Sequence, residues 1–243
     1  MGKPRWRPEH GERTVARLEA FSDIVIGFAL AQTTLVLVLP PHAIDILRDP
    51  VTIFGFVITY FFIASFWWNH HRVFTTYFVP ERLPIALNFA ALAAQSFSIF
   101  ALQMWLHFAK QQTEAYTAAR IYFASVSIAF ALLSLMQGYG IVRLGAKLEP
   151  AARRYGARVV IRRIGMTVGI LIGVVISGYG TFAPSVAKIT AFELGPQLVF
   201  PVPQNLLICG ALGLVVGGVI SRAVVFLLDR YSTAAEVPAN GAT

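Results

Sequence analysis

The chain has 243 residues, of which 56% are hydrophobic and 13% charged, with a formal net charge of +8 and a mean hydropathy of +0.65. Soluble domains carry about 25% charged residues, so this composition excludes an ordinary soluble globular protein and points to an integral membrane one. A single cysteine, Cys209, excludes an intrachain disulfide and any cysteine-based metal site. In a soluble protein the basic balance would suggest nucleic-acid binding. Here the placement of the charges accounts for it, and no nucleic-acid partner is expected.

In chain order, residues 1–13 hold Lys3, Arg5, Arg7 and Arg13 with two prolines and read as a basic tail at a membrane surface. No secretory signal is visible, because the first 16 residues are polar and basic and the apolar segment after them is too long for a cleaved one. A first helix is predicted to about residue 39, stopped by Pro40 and Pro41. Asp49-Pro50 suits a helix start, and a second helix is predicted over about 51–71. It closes on FWWNHHRVF, where Trp67 and Trp68 fit an interfacial aromatic belt. Further helices are predicted over about 84–107, 116–142, 159–181 and 204–228, with a proline-bearing loop before the last. The fold class is therefore all-α, with six transmembrane helices in a domain over 14–230 and a flexible tail over 231–243.

Six spans put both termini on one side. That side carries sixteen Lys and Arg residues: five through Arg17, then Arg72 and Arg82, seven between Arg143 and Arg163, and finally Arg222 and Arg230. The other side carries four: Arg48, Lys110, Arg120 and Lys188. The positive-inside rule places both termini in the cytoplasm of a multi-pass cell-membrane protein.

The fifth helix carries Gly165, Gly169, Gly173, Ser177 and Thr181 at intervals of four, and the sixth carries Gly213, Gly217 and Ser221. Stripes of small residues let helix backbones approach closely in lipid. Packing of the two helices within one subunit is the preferred reading; a subunit interface is the other. On the third helix Asn88, Gln95, Ser96 and Ser98 are placed to hydrogen-bond between helices.

The first helix opens with Arg17, Glu19, Ser22 and Asp23 and then has no charged residue before Pro40. At about 100° per residue, Phe28, Ala31, Gln32 and Leu35 share a narrow sector with Arg17 and Phe21 nearer the basic end. Asp23 falls roughly opposite, so it points at neighbouring helices rather than into any pore on the first sector. An ionisable group at that depth needs a partner. The second helix, running the other way, brings Trp68, Asn69, His70 and His71 to the level of Asp23, which makes Asp23 a structural lock. Adjacent histidines point to different helix faces, so no metal site is expected there.

The run RLEAFSD, residues 17–23, opening a first transmembrane helix, resembles the transmembrane-protein-175 family of potassium channels, in its prokaryotic branch of one six-helix unit per chain. WWNHHRVF, residues 67–74, is similar to that family's second-helix pattern. The resemblance implies a homotetramer in membrane lipid whose first helices line a central pore. It implies potassium as the permeant ion, no cofactor, and a constriction of apolar side chains at Phe28, Ala31 or Gln32, and Leu35. It also implies a structural motif of Arg17, Phe21, Ser22 and Asp23 braced by the second-helix cluster. The TVGYG filter of other potassium channels is absent. Where the family commonly has a branched apolar residue this chain has Phe28, and Ala31-Gln32 stands where threonine and leucine are common. A phenylalanine ring closes such a path by steric block and dewetting, whereas four Gln32 amides would hydrate an ion or bond one another. No GxSxG, HExxH, Walker A or Rossmann fingerprint suggests an enzyme. A proton-coupled or other small-solute transporter, or a non-conducting structural member of the family, are the alternatives.

Overall fold

A computed structural model describes residues 8–35, 44, 50–108, 112–176 and 204–235, and every long element among them is an α-helix. The helices are α1 (Pro8–Leu35), α2 (Pro50–Thr76), α3 (Arg82–His107), α4 (Gln112–Leu144), α5 (Pro150–Ile176) and α6 (Gln204–Ala235), with one 3₁₀ turn at Gly145–Lys147. By length and composition α3, α4 and α5 are each apolar enough to cross a membrane. At ~1.5 Å per residue the 26 residues of α3 reach ~39 Å, more than a ~30 Å hydrocarbon core. The chain is thus an all-helical, multi-pass membrane protein.

Several helices are longer than the hydropathy pattern suggests. Helix α2 continues past His71 to Thr76, and α5 begins at Pro150 rather than near residue 159. What reads in sequence as a basic loop is therefore mostly helix: Arg153, Arg154 and Arg158 lie on α5 before its apolar run begins. Charge marks the membrane boundary, not the end of the helix, because backbone hydrogen bonding continues into the interface at no cost. Helix α1 begins at Pro8 and α6 runs to Ala235; residues 1–7, 36–43, 177–203 and 236–243, with the prolines of the first and last loops, lie outside the described residues.

The hydrophobic core lies in the first four helices. It joins Ile26 and Ala29 of α1 to Ile63, Phe66, Val73 and Phe74 of α2, to Leu92, Ile99, Leu102 and Trp105 of α3, and to Tyr122, Phe130, Leu133 and Met136 of α4. Edge-to-face rings tie it together, with Phe66 against Phe130 at 5.6 Å between α2 and α4.

Helix α5 packs on α4, and α6 packs on α5. The α5–α6 seam is backbone against backbone: a Cβ on Gly213 would lie 2.3 Å from the Gly165 carbonyl oxygen, and one on Gly169 would lie 2.3 Å from that of Cys209. The glycine stripes therefore join α5 and α6 within one chain. Outward, α6 presents Ile208, Leu212, Val215, Val219 and Phe226 at spacings of four, three, four and seven residues, all exposed. Such a stripe suits hydrocarbon or another membrane-embedded surface.

At the basic end, the turn after α2 closes the bundle. Tyr77 is buried and donates from its hydroxyl to the Ala152 carbonyl at 2.9 Å, and a Cβ on Gly140 would overlap the Tyr77 carbonyl. Glu81 receives Arg143 Nη2 at 2.9 Å and the Tyr139 hydroxyl, clasping this turn to the end of α4.

Candidate pore-helix site

Helix α1 has two unlike faces. Ser22, Ile26, Ala29 and Thr33, spaced four, three and four residues apart, are buried against the bundle. Phe28, Ala31 and Gln32 lie on the other side and are exposed, Phe28 at 68%. Leu35 is the last residue of α1, and its side chain lies outside the described residues. Phe21 is exposed and meets the edge of Phe89 on α3 at 5.7 Å, and Arg17 lies exposed one turn before it.

The cluster near the end of α2 is held on three sides, because successive helix positions step about 100° around the axis. Trp67 and His71, four residues apart, face α1. Trp67 donates from Nε1 to Asp23 Oδ1 at 2.9 Å, and His71 Nδ1 meets Glu19 Oε1 at 3.0 Å. The two rings stack, 19° from parallel. Asp23 therefore takes its hydrogen bond from the neighbouring helix, as a lock requires, but the donor is Trp67 and not Trp68. Trp68 points outward beneath the Arg72 guanidinium, one turn on.

The second side is fully buried. Asn88 of α3 donates from Nδ2 to Ser22 Oγ at 3.1 Å, and Ser22 donates in turn to the Leu18 carbonyl at 2.7 Å. With the Asn88 amide so oriented, its Oδ1 accepts, and His70 Nε2 at 2.7 Å is the donor. A one-way chain of donors thus runs from α2 through α3 into α1, and each bond polarises the next. His70 Nδ1 has no hydrogen-bond partner; the ring is stacked on Phe74 at 4.5 Å.

The third side faces α5. Asn69 donates from Nδ2 to the Ser65 carbonyl on its own helix at 2.7 Å, which leaves Oδ1 to accept from Arg163 Nη2 at 2.6 Å. Arg163 is only 8% exposed, with its guanidinium over the Phe130 ring and a longer contact of 3.4 Å to Gln137 Oε1. Among the described residues it makes no ion pair with a carboxylate. Counted from sequence as one more basic residue fixing topology, Arg163 is instead an interior strut. The available signal was its place four residues inside the apolar run that starts at Val159.

Of the residues singled out from sequence, Ser22, Asp23, Asn69, His70 and His71 come together, while Arg17 and Trp68 stand outside the bonded network. Trp67, Glu19, Asn88 and Arg163 complete it. Among the described residues no three His, Cys, Asp or Glu side chains converge as metal ligands would. The exposed face of α1 offers rings, a methyl and an amide.

No curated protein and no solved structure is significantly similar to the chain. The segment 17–98, which spans Arg17 to Asp23 of α1, the aromatic–histidine cluster of α2 and Asn88 of α3, matches the family described as Endosomal/lysosomal potassium channel TMEM175.

Proposed function

We propose that the chain is a potassium-preferring cation channel, four copies of which place α1 around a central path in the cell membrane, with both termini in the cytoplasm. The observation that carries this is the division of α1: one face is locked into the bundle by Ser22 and Asp23, while Phe28, Ala31 and Gln32 are left uncovered by the chain's own helices. A helix whose buried side is fixed by polar bonds and whose free side ends in a bulky ring is suited to line a path shared between copies. The ring of Phe28, with Ala31, Gln32 and Leu35 one and two turns further along, forms the constriction. Conduction through such a path depends on its width and wetting, not on a carbonyl filter. The pore needs no cofactor; potassium is its cargo. Similarity of residues 17–98 to a potassium-channel family supports the same reading.

The test is a bi-ionic reversal potential, potassium against sodium, on purified protein in a planar bilayer, with Phe28→Ala alongside. A potassium-leaning reversal and a larger unitary conductance for Phe28→Ala are expected, because removing the ring widens and wets the narrowest layer. Unchanged current in the variant takes Phe28 out of the path. Silence from both proteins, shown to be folded and oligomeric, removes the channel reading in favour of a transporter or a non-conducting member.

A further inference from the structure

Helix α2 meets α1, α3 and α5 through four side chains within five residues, and the α5 contact is the unusual one. A guanidinium inside a membrane protein is costly unless it has a task, and such residues usually mark function. Arg163 is buried without a carboxylate among the described residues, and its short bond goes to a neutral amide oxygen at 2.6 Å. Asn69 is prepared for it, since its own amide nitrogen is tied back to Ser65. Two further links lie toward the basic end: Arg72 of α2 to the Tyr155 hydroxyl, and Tyr77, in the turn after α2, to the Ala152 carbonyl. Arg163 is the buried cation among these side chains, whereas Arg72 is half-buried.

We propose that Arg163 is a positioning residue for α1: by holding Asn69 it fixes the rotation of α2, and with it Trp67 and His71, which hold Asp23 and Glu19. The lever is direct. Side-chain tips lie about 5–6 Å from a helix axis, so a turn of about 20° moves them by about 2 Å. Adding that to the 2.9 Å bond between Trp67 and Asp23 takes it out of hydrogen-bonding range. The free face of α1 then rotates or tilts, and the path along it changes width. Through Arg163, the α5–α6 hairpin, which does not touch the exposed face of α1, sets how that face is presented. This inference rests on the pore reading for its effect on ion flux, but the displacement of α1 is measurable without it.

The experiment uses full-length protein in liposomes with Cys209→Ala as background. A single thiol is placed by Gly27→Cys, since a Cβ at Gly27 meets nothing within 4 Å. The rate of modification by a charged thiol reagent and the potassium flux are measured with Arg163→Met, Asn69→Ala, both together, and Asn69→Asp. Arg163→Met and Asn69→Ala are expected to change the thiol rate and the flux by about fivefold or more each, the scale of an ordinary coupling between sites. The double variant is expected to do no more than either single one. Asn69→Asp keeps an acceptor for Arg163, now as an ion pair, but sets its second oxygen against the Ser65 carbonyl, so it should stay closer to the parent values than Asn69→Ala, an outcome that general loosening would not give. Parent thiol rates in folded Arg163→Met and Asn69→Ala overturn the proposal. So does a double variant whose effects simply add. Should Arg163→Met fail to assemble, Asn69→Ala decides by the same criterion. If the parent protein carries no potassium, the pore reading fails while the thiol rates still judge the strut.

Discussion

The first three helices and the last two hold together by different means. Between α1, α2 and α3 the contacts that fix orientation are polar and individually aimed: Trp67 to Asp23, His71 to Glu19, and His70 through Asn88 to Ser22. Between α5 and α6 they are glycine faces, with Gly165, Gly169 and Gly213 so close to the opposing backbone that none has room for a methyl group. Hydrogen bonds are directional, so they specify the angle of a helix about its own axis. Glycine contacts specify how near two axes lie, and they gain mainly dispersion energy and close approach. On α5 the fully enclosed positions are Gly156, Arg163, Thr167, Gly169 and Gly173, with no large apolar residue among them. On the proposed pore reading α1 must keep one face at a shared path and needs its angle fixed, whereas a helix that only flanks the bundle needs proximity.

If proximity governs the hairpin, adding one methyl should have the largest effect there. Gly213→Ala and Gly169→Ala each drive a Cβ to within 2.3 Å of a backbone oxygen, which cannot swing aside as a side chain would. Forcing extra atoms into a packed seam costs about 1–3 kcal/mol or more. Gly27→Ala is the control: its Cβ meets nothing, and alanine gains up to about 1 kcal/mol of helix propensity. Thermal unfolding in detergent should show both hairpin variants melting clearly below the parent and Gly27→Ala at or above it. Equal melting of Gly213→Ala and Gly27→Ala would break the comparison at its glycine end.

The polar end breaks differently. Asn88→Ala removes the middle of a buried chain: it strands Nε2 of His70 and takes from Ser22 Oγ the bond it accepts, leaving that hydroxyl only its own donation to the Leu18 carbonyl. An unpaired buried group costs about 1–3 kcal/mol. Because His70 Nδ1 already lacks a partner, that ring would be left with no hydrogen bond at all. A second substitution, Ser22→Ala, loses the same Asn88–Ser22 bond, so the pair should cost less than the sum of the two single changes. Unfolding of the four proteins of this cycle measures the coupling. Strict additivity would show that the chain of donors is not a unit and that apolar packing alone sets the angle of α1.

The same division explains what was legible in the sequence. The six helices and the glycine stripes follow from hydropathy and spacing, because both are periodic and local. The division of α1 was legible only in part: spacing set Phe28, Ala31 and Gln32 on one sector with Asp23 opposite, whereas the buried face is Ser22, Ile26, Ala29 and Thr33, and Asp23 itself is exposed. The identity of the lock was only partly legible. Trp67 and Trp68 are neighbours in sequence but about 100° apart on the helix, and which of them meets Asp23 depends on the rotation of α2. That rotation is set in part by Arg163, 94 residues away along the chain from Asn69. Charge counting hid Arg163, because topology rules treat an arginine near a span as outside it. Residues 17–98 match a family, and they contain the aimed polar side chains of the first three helices. The glycine and valine faces of α5 and α6 lie beyond that segment, where one branched apolar residue can replace another against lipid with little physical consequence.

The smallest expected effect separates the two regions by pH. Glu81, in the turn before α3, has its carboxyl held below its ordinary value of 4.5, first by the hydrogen bond from Arg143 and next by that from Tyr139, with the charge of Arg143 adding to both. A carboxyl whose folded value is depressed stabilises the folded state above its unfolded value. That contribution is lost as pH falls through the lower folded value. The clasp between this turn and α4 should therefore hold at neutral pH and loosen only below about 4.5. More than a third of the Glu81 side chain is exposed, so solvent screens the pair and the loss is modest. Unfolding measured from pH 7 to pH 3 should show a small acid-dependent step in the parent that is missing in Glu81→Gln. The α5–α6 seam has no carboxylate on α5 from Pro150 to Ile176 or on α6 from Gln204 to Leu228. A Gly213→Ala protein should accordingly keep the parent's acid step on a lower baseline. If Glu81→Gln retains the full step, the acid sensitivity does not belong to the clasp between this turn and α4.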